Sequence, residues 1–497
     1  MLVSRKIRQL GMVSAVLVTL FAGNSVSPAR AVNCEATAPL NLATKTTDYL
    51  PDGGKVYRYD FAATVANSSD YQTRFLLAKS DGLFTTFTPT FVRVGQSSNQ
   101  EFLASRVGAI AHVNGDYFDF GNSETYGDFG VAGKFIYAHP GISNVVGLER
   151  VQATSATGIV GSSHLTTRAG KVTVFGYDLK SLRENSIVAF DSQYPASKIP
   201  LGQYSVQVVG AAVTNVWPLG TETKPTKGYV LTALGAKAVV SLKKLKLRSY
   251  ATYSKPTGTT VVPRADDISP NVSVSNSSST ISANAVNYQN STLNASVVLY
   301  DNHWNGTTPG GVASMVVDAN NNITSIQNEG SEQVLSSGER IVKFFTTQSA
   351  AQLRNFSVGQ KVTIHDGWSS LSGATFVNVF GYHERLITAG NLVAPCSAGA
   401  EIIRPRTAVG WDTSGNIFLA TTTMGRDWPD NFYRVGGSSL HQIADWMRLE
   451  GAKYAVGLDG GGSTTMFADI GGEQKRLDLP ATTWDRLIPQ GVAIVKR

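Results

Sequence analysis

At 497 residues the chain is too long for one ordinary domain and short for more than three or four. An apolar fraction of 42% against 16% charged residues excludes wholesale disorder, and two cysteines exclude a disulfide-stapled scaffold. The formal charge of +7 raises a nucleic-acid partner, but Arg5, Lys6, Arg8 and Arg30 precede Val32; from there on, 39 basic residues face 36 acidic ones and the balance is +3.

Those first residues read as a targeting segment. Arg5, Lys6 and Arg8 form a basic start, Leu10 to Ala22 is apolar, and Ala29-Arg30-Ala31 offers a small-x-small cleavage site. The apolar run is short for a spanning helix, which takes about 20 residues. The expectation is a signal peptide over 1–31, a secreted chain and no stable membrane insertion, with a retained anchor as the alternative. In an oxidising compartment Cys34 and Cys396 can bridge; two free thiols are the other option.

Residues 32–97 alternate as short strands such as Lys55 to Phe61 and Arg74 to Ala78. Ser98-Asn-Gln-Glu101 reads as a capping box for a short helix through Val107, ended by Gly108. Ala109 to Val113 is then a buried strand that delivers the polar loop Asn114-Gly115-Asp116-Tyr117-Phe118-Asp119. Residues 98–150 form one unit by this reading. Over 151–365 a β-rich region looks duplicated: Ile187 to Asp191 resembles Val297 to Asp301, Val208-Val209 resembles Val316-Val317, and Gly228 to Leu231 resembles Glu332 to Leu335. The Ser- and Asn-rich stretch 263–294 reads as a linker. The expected fold class is α+β, with strand-rich mixed sheets, a few short helices and an internal duplication.

In the C-terminal unit, 366–497, Ser438 caps a helix to Glu450 with Leu440, Ile443, Ala444 and Met447 on one face, and Gly451 stops it. Strand Tyr454 to Leu458 runs into Asp459-Gly460-Gly461-Gly462-Ser463-Thr464-Thr465. Helix, glycine, strand and polar glycine loop repeat the order seen at 98–119. Amides of Gly460 to Ser463 can converge on an anion beside Asp459; a glycine turn at a sheet corner is the plainer reading. Arg406, and more weakly Arg426 after Gly425, offer planar forks for phosphate or carboxylate. Asn114, Asp116 and Asp119 supply polar contacts, and Tyr117 a face for a sugar ring. The histidines form no HExxH pair, and no G-x-S-x-G elbow or P-loop occurs, so neither a metal nor a cofactor is expected.

Several of these segments, in this order, resemble the phosphodiester glycosidase family: Val113-Asn114-Gly115-Asp116-Tyr117-Phe118, Gly130 to Ile136, Arg406-Thr407-Ala408-Val409-Gly410, Gly425-Arg426, Gly437-Ser438-Ser439-Leu440 and Leu458 to Met466. Asp116 stands where the family has a glycine, and Met424 where it commonly has an Asp. The resemblance implies hydrolysis of a sugar-1-phosphodiester (an N-acetylglucosamine-1-phosphodiester type) to free sugar and phosphomonoester. It implies Asp459, Arg406, Asn114 and Asp116 as catalytic residues, Asp459 being the first choice of carboxylate. Gly460, Gly461, Gly462, Ser463, Thr464, Thr407, Arg426 and Tyr117 then bind substrate. The partner is a glycan or sugar phosphate, not nucleic acid. The competing reading is an inactive, secreted binder of cell-wall polysaccharide with the same fold; a glycosidase for uncharged links is a third.

Overall fold

The computed structural model describes residues 34, 37–62, 73–81, 85–119, 123–152, 159–179, 182, 185–253, 259–290, 294–397, 399–424, 436–478 and 486–496. The targeting segment 1–31 and the Gly425-Arg426 pair lie outside them, and so does the side chain of Met424. No helix among the described residues is long and apolar enough to cross a membrane.

Two sheets packed face to face carry the site. The larger runs in the order Thr44–Tyr49, Lys55–Phe61, Thr73–Asp81, Asn416–Met424, Arg406–Trp411, Tyr454–Gly457, Glu384–Thr388, Asn391–Leu392. The smaller is Gln474–Arg476, Met466–Asp469, Ala111–Asn114, Gln490–Lys496, Thr85–Phe91. Strand Thr73–Asp81 shows why the layers form: Leu76 and Ala78 join the core between the sheets, while Phe75 and Leu77 face the helix Leu440–Leu449 on the other side. With side chains alternating across a strand, a continuous apolar run is buried on both faces. Helix Gln100–Arg106 covers the outer face of the smaller sheet through Ala104, beside Ala109 and Ala493.

Both helices start one residue later than the sequence reading has it. The caps are Asn99, which accepts from the Phe102 amide at 2.8 Å, and Ser439, which forms a capping box with Gln442. Ser98 and Ser438 are instead held by antiparallel bridges to Ile488 and Arg404, which keep each serine extended and shift the cap. Gly451 takes φ +105 just beyond the second helix, the left-handed position expected of a terminator.

The stretch 263–294 is not a linker. Thr259–Ser275 is one long strand, paired along its length with Ser143–Gln152 and Thr363–Ser370, and Thr280–Ala283 follows it. Ile268, Val272 and Val274 at even spacing are buried, so its serines and threonines are the polar half of an alternating strand.

The duplication is visible in topology. Ala212–Trp217, Tyr204–Val209, Tyr229–Leu234, Ser186–Phe190 and Gly170–Tyr177 lie side by side in that order. Ile323–Gln327, Ala313–Val317, Arg340–Phe344, Val297–Tyr300 and Ala285–Val286 repeat the order. In each set the last pair is parallel, and each has a register shift at the matching place, Gln207/Val208 and Val316/Val317. One pairing from the sequence is corrected: the counterpart of Tyr229–Leu234 is Arg340–Phe344, whereas Gln333–Val334 pairs with Thr307–Thr308. The buried run Ile341, Val342 and Phe344 suits a central strand; Val334 is 73% exposed.

Cys34 and Cys396 are disulfide-bonded across 362 residues. Near this tie the Trp446 indole donates to the Ala38 carbonyl at 2.8 Å, so the start of the described chain is strapped over the helix Leu440–Leu449. A crosslink across so long a loop restricts the unfolded chain, and its removal typically costs about 2–5 kcal/mol. Cys396→Ser is therefore expected to lower the urea midpoint, as read by tryptophan fluorescence; an unchanged midpoint would show that the crosslink does not stabilise the fold.

Candidate functional site

Strand Ala111–Asn114 is central in the smaller sheet, and its last residue begins the site. Asn114 is 1% exposed; its Nδ2 donates to the Asp459 carbonyl at 2.7 Å and its Oδ1 accepts from Thr407 Oγ1 at 2.7 Å. Thr407 and Thr464 lie 3.3 Å apart through their hydroxyls, and the Asp459 amide donates to the Gly115 carbonyl at 3.0 Å. Asn114 thus ties the two polar loops and the strand Arg406–Trp411 together. Gly115 is needed because a Cβ there would sit 2.7 Å from the Gln490 side chain.

Two glycines of the run have a backbone cause: a Cβ on Gly460 would lie 2.7 Å from the Pro405 carbonyl, and Gly461 takes φ +63; Gly462 lies against the Arg486 guanidinium. Three of the four amides from Gly460 to Ser463 that the sequence suggests for an anion are bonded within the chain. The Gly460 amide donates to Asp459 Oδ1 at 2.8 Å and the Gly461 amide to the Pro405 carbonyl at 2.8 Å. Those of Ser463 and Thr464 bond within the turn Gly461–Ser463. Amides bonded to the chain have no proton left for a substrate; the Gly462 amide makes no hydrogen bond among the described residues, so the loop offers a single backbone donor rather than a converging set.

Three carboxyl groups meet here. Asp116 is 6% exposed, and burial pushes its pKa up to about 7; the charges of Asp459 and Glu384 add to the rise, while the Tyr117 amide, donating to Oδ1 at 2.8 Å, opposes it. Burial also raises Asp459, against the pull of Ser463, the Gly460 amide and the charges of Arg486 and Arg404. Glu384, at the start of strand Glu384–Thr388, is raised by burial, and its Oε2 is buried with no hydrogen-bond partner among the described residues. Gly127 and Gly381 pack against the Asp116 carboxylate where no Cβ would fit. Two glycines elsewhere in the chain thus make room for the carboxylate at 116.

A histidine joins them. His139 is hydrogen-bonded through Nδ1 to Asp128, and its amide donates to Asp128 Oδ1 at 3.0 Å. Asp128 is fully buried and also accepts from Ser143 at 2.8 Å. Burial works against a charged His139, but the Asp128 carboxylate outweighs it and raises the pKa; Asp116 contributes too. The ring of Tyr117 lies 4.6 Å from that of His383, so the tyrosine face is partly covered by an imidazole. His112, by contrast, is fully buried, held neutral with a pKa lowered to about 3 by burial, and bonded to Thr90 at 2.8 Å. It is a core residue.

The arginines of the site are held in different ways. Arg406 is 2% exposed and its guanidinium donates to the carbonyls of Ser438 at 3.3 Å, Ala400 at 3.2 Å and Ile402 at 2.8 Å. Burial lowers its pKa to about 10. Its Nε and Nη2 clamp the chain around the site, while Nη1 makes no hydrogen bond among the described residues. Arg404, two residues earlier, has a buried Nε with no partner among the described residues and feels the charges of Asp459 and Glu384. Arg486 lies on Gly462 and donates to Ser463 Oγ at 3.3 Å. Arg404 and Arg486 act on Asp459, and Arg406 and Arg404 on Glu384.

The residues that the sequence picked out therefore converge: Asn114, Asp116, Tyr117, Arg406, Thr407, Asp459, Gly460 to Gly462, Ser463 and Thr464 occupy one locus. Arg426 lies outside the described residues. Sequence reasoning missed Arg404, Arg486, Glu384 and the Asp128–His139 pair. Arg404 stands two residues before Arg406 in the sequence, and only hydrogen-bond accounting tells the two apart; the others stand alone in chain segments with no motif around them.

Residues 313–495 match the model of the phosphodiester glycosidase family. Asn114, Asp116 and Tyr117 lie before that range. No curated protein matches the chain. Among solved structures, a hypothetical protein from Synechocystis is 15% identical with a TM-score of 0.48; 89% of this chain is covered, and it spans 62% of that one. A Burkholderia pseudomallei protein is 16% identical over 87% of this chain and 76% of its own, with a TM-score of 0.46. The catalytic domain of zebrafish N-acetylglucosamine-1-phosphodiester α-N-acetylglucosaminidase, auto-inhibited by its pro-peptide, is 10% identical over 92% and 89%, with a TM-score of 0.32.

Proposed function

We propose that this chain, whose residues 313–495 match the phosphodiester glycosidase family, is a secreted hydrolase that splits a sugar-1-phosphodiester into free sugar and phosphomonoester. The observation that carries the reading is the buried Asp116–Asp459 pair beside the cations Arg404 and Arg486. Arg404 and Arg486 hold the phosphodiester anion and stabilise the second negative charge that grows on it as the C1–O bond breaks. Asp459, ionised, faces the positive charge that develops at C1. Asp116 takes a proton from water as the water oxygen bonds to C1. The products are the sugar with its new hydroxyl, the phosphomonoester dianion, and one proton on Asp116, so charge and atoms balance. A phosphate leaving group needs little help from an acid, so a base with a pKa near 7 is the more useful group. Asn114 and Arg406 act through the backbone they fix, as positioning residues.

The test uses an N-acetylglucosamine-1-phosphodiester with a chromogenic aglycone. Asp459→Asn is expected to lower kcat by about 10³-fold with an unchanged circular dichroism spectrum. Glycan binding by the parent protein without turnover of any sugar-1-phosphodiester would overturn the reading in favour of an inactive binder.

A further inference from the structure

The first copy of the repeat, with the strands flanking it, has a charge unlike the rest of the chain. From Ile159 to Tyr253 there are twelve lysines and arginines against four acidic residues, a surplus of eight where the whole chain carries +7. The four acids do little to balance it: Asp178 is 1% exposed, Asp191 accepts from the Tyr177 hydroxyl, Glu222 pairs with Lys198 at 2.7 Å, and Glu184 lies outside the described residues.

The surplus converges on a cavity of about 620 Å³. The turn between strands Ile159–Thr167 and Gly170–Tyr177 brings Arg168 and Lys171 to it, and the segment after helix Ala236–Lys243 brings Lys244 and Arg248. No carboxylate lines it, and none of these four cations has an ion-pair partner among the described residues. A helix C-terminus favours cations and would account for Lys243 and Lys244. It does not account for Arg168, Lys171 or Arg248, which come from other segments.

The cavity is also held in shape. The Arg248 amide donates to the Val213 carbonyl at 2.9 Å, the Val213 amide to Ser249 at 3.0 Å, and the Lys246 amide to Ser249 Oγ at 2.9 Å. Arg248 itself takes φ +65, a conformation these bonds impose. Tyr250, 42% exposed, lies on the rim with its ring available to a sugar face.

We infer that this pocket binds a sugar- or polyol-phosphate polymer. Four cations without countercharges fit several phosphates in a row, and the volume exceeds what one phosphate fills. The inference rests on the proposed phosphodiester chemistry for the identity of the polymer.

The probe is poly(glycerol phosphate), with neutral dextran, poly-glutamate, single-stranded DNA and phosphatidylglycerol vesicles for comparison. The protein is the full chain, and its binding is read by tryptophan fluorescence or calorimetry across salt. The variant Arg168→Ser/Lys171→Ser/Lys244→Ser/Arg248→Ser changes only exposed side chains. It is expected to weaken poly(glycerol phosphate) binding at least about tenfold and flatten its salt dependence, since fewer phosphate contacts release fewer ions. Its rate on the small chromogenic diester should stay at the parent's value. A control, Lys227→Ser/Lys237→Ser, alters exposed lysines of the same lobe outside the cavity and should bind as the parent does. Unweakened binding in the fourfold variant, or tighter binding of DNA, poly-glutamate or vesicles than of the phosphate polymer, would overturn the inference. Because binding is read without turnover, loss of the catalytic reading leaves a distinct result: polymer binding that depends on the four cations in a protein that cleaves nothing.

Discussion

Asp116→Asn is expected to be inactive and, above neutral pH, more stable than the parent. The amide cannot take a proton from water, so kcat on a sugar-1-phosphodiester should fall by about 10²–10⁴-fold. In the parent, the rate should rise with pH through a midpoint near 7, where Asp116 ionises. The stability effect has the opposite sense. Folded Asp116 has a pKa of about 7 against an ordinary value of 3.8, so the native state keeps a proton that the unfolded chain releases. Stability is therefore fully present below about pH 4 and is lost as pH rises towards 7. Asparagine removes that loss: at pH 8 the variant should gain roughly 4 kcal/mol, and at pH 3.5 almost nothing. Urea melts at the two pH values measure this. Equal gains at both would show that packing, not ionisation, is responsible; a parent rate that falls through pH 7 would make Asp116 an acid instead.

Arg404→Ala and Arg406→Ala, two residues apart, should fail in different ways. Arg406 is buried among the Ser438, Ala400 and Ile402 carbonyls; its removal leaves the Ile402 carbonyl without a donor and takes the second donor from the other two, which keep the Arg404 and Leu440 amides. A loss of about 3–5 kcal/mol in stability is expected, with activity falling because the loops come apart. The Arg404 side chain makes no hydrogen bond among the described residues, so its removal should leave the melting curve nearly unchanged while kcat/KM falls about 10²–10³-fold. Arg404→Lys should recover part of that loss and Arg406→Lys little, since a point charge can meet a phosphate but cannot span three carbonyls. Two variants with matching stability losses would sink the division of roles.

Much of the scaffold was legible because it depends on local pattern. The strand Lys55–Phe61 and the apolar face of the helix Leu440–Leu449 follow from periodicity, and the end of that helix follows from Gly451. The misreadings share a cause. Ser98 and Ser438 were displaced from the caps by bridges to residues far along the chain, and 263–294 looked like a linker because its apolar positions find their partners only across a sheet. The pairing of Glu332 to Leu335 with Gly228 to Leu231 likewise rested on residue type, where strand order was needed.

For the site, the sequence by itself determined the two loops and their carboxylates. An Asp or Asn at a strand end beside glycines is a local arrangement, and its residue types carry the chemistry. Tertiary structure alone decided which groups are free to use it. The Gly460 and Gly461 amides and Nε and Nη2 of Arg406 are spent on the protein's own acceptors, the Arg404 Nε is not, and Asp116 has a pKa near 7 because it is buried beside Asp459 and Glu384. Donor satisfaction and desolvation are sums over everything that folds around an atom, and neighbours in sequence do not report them.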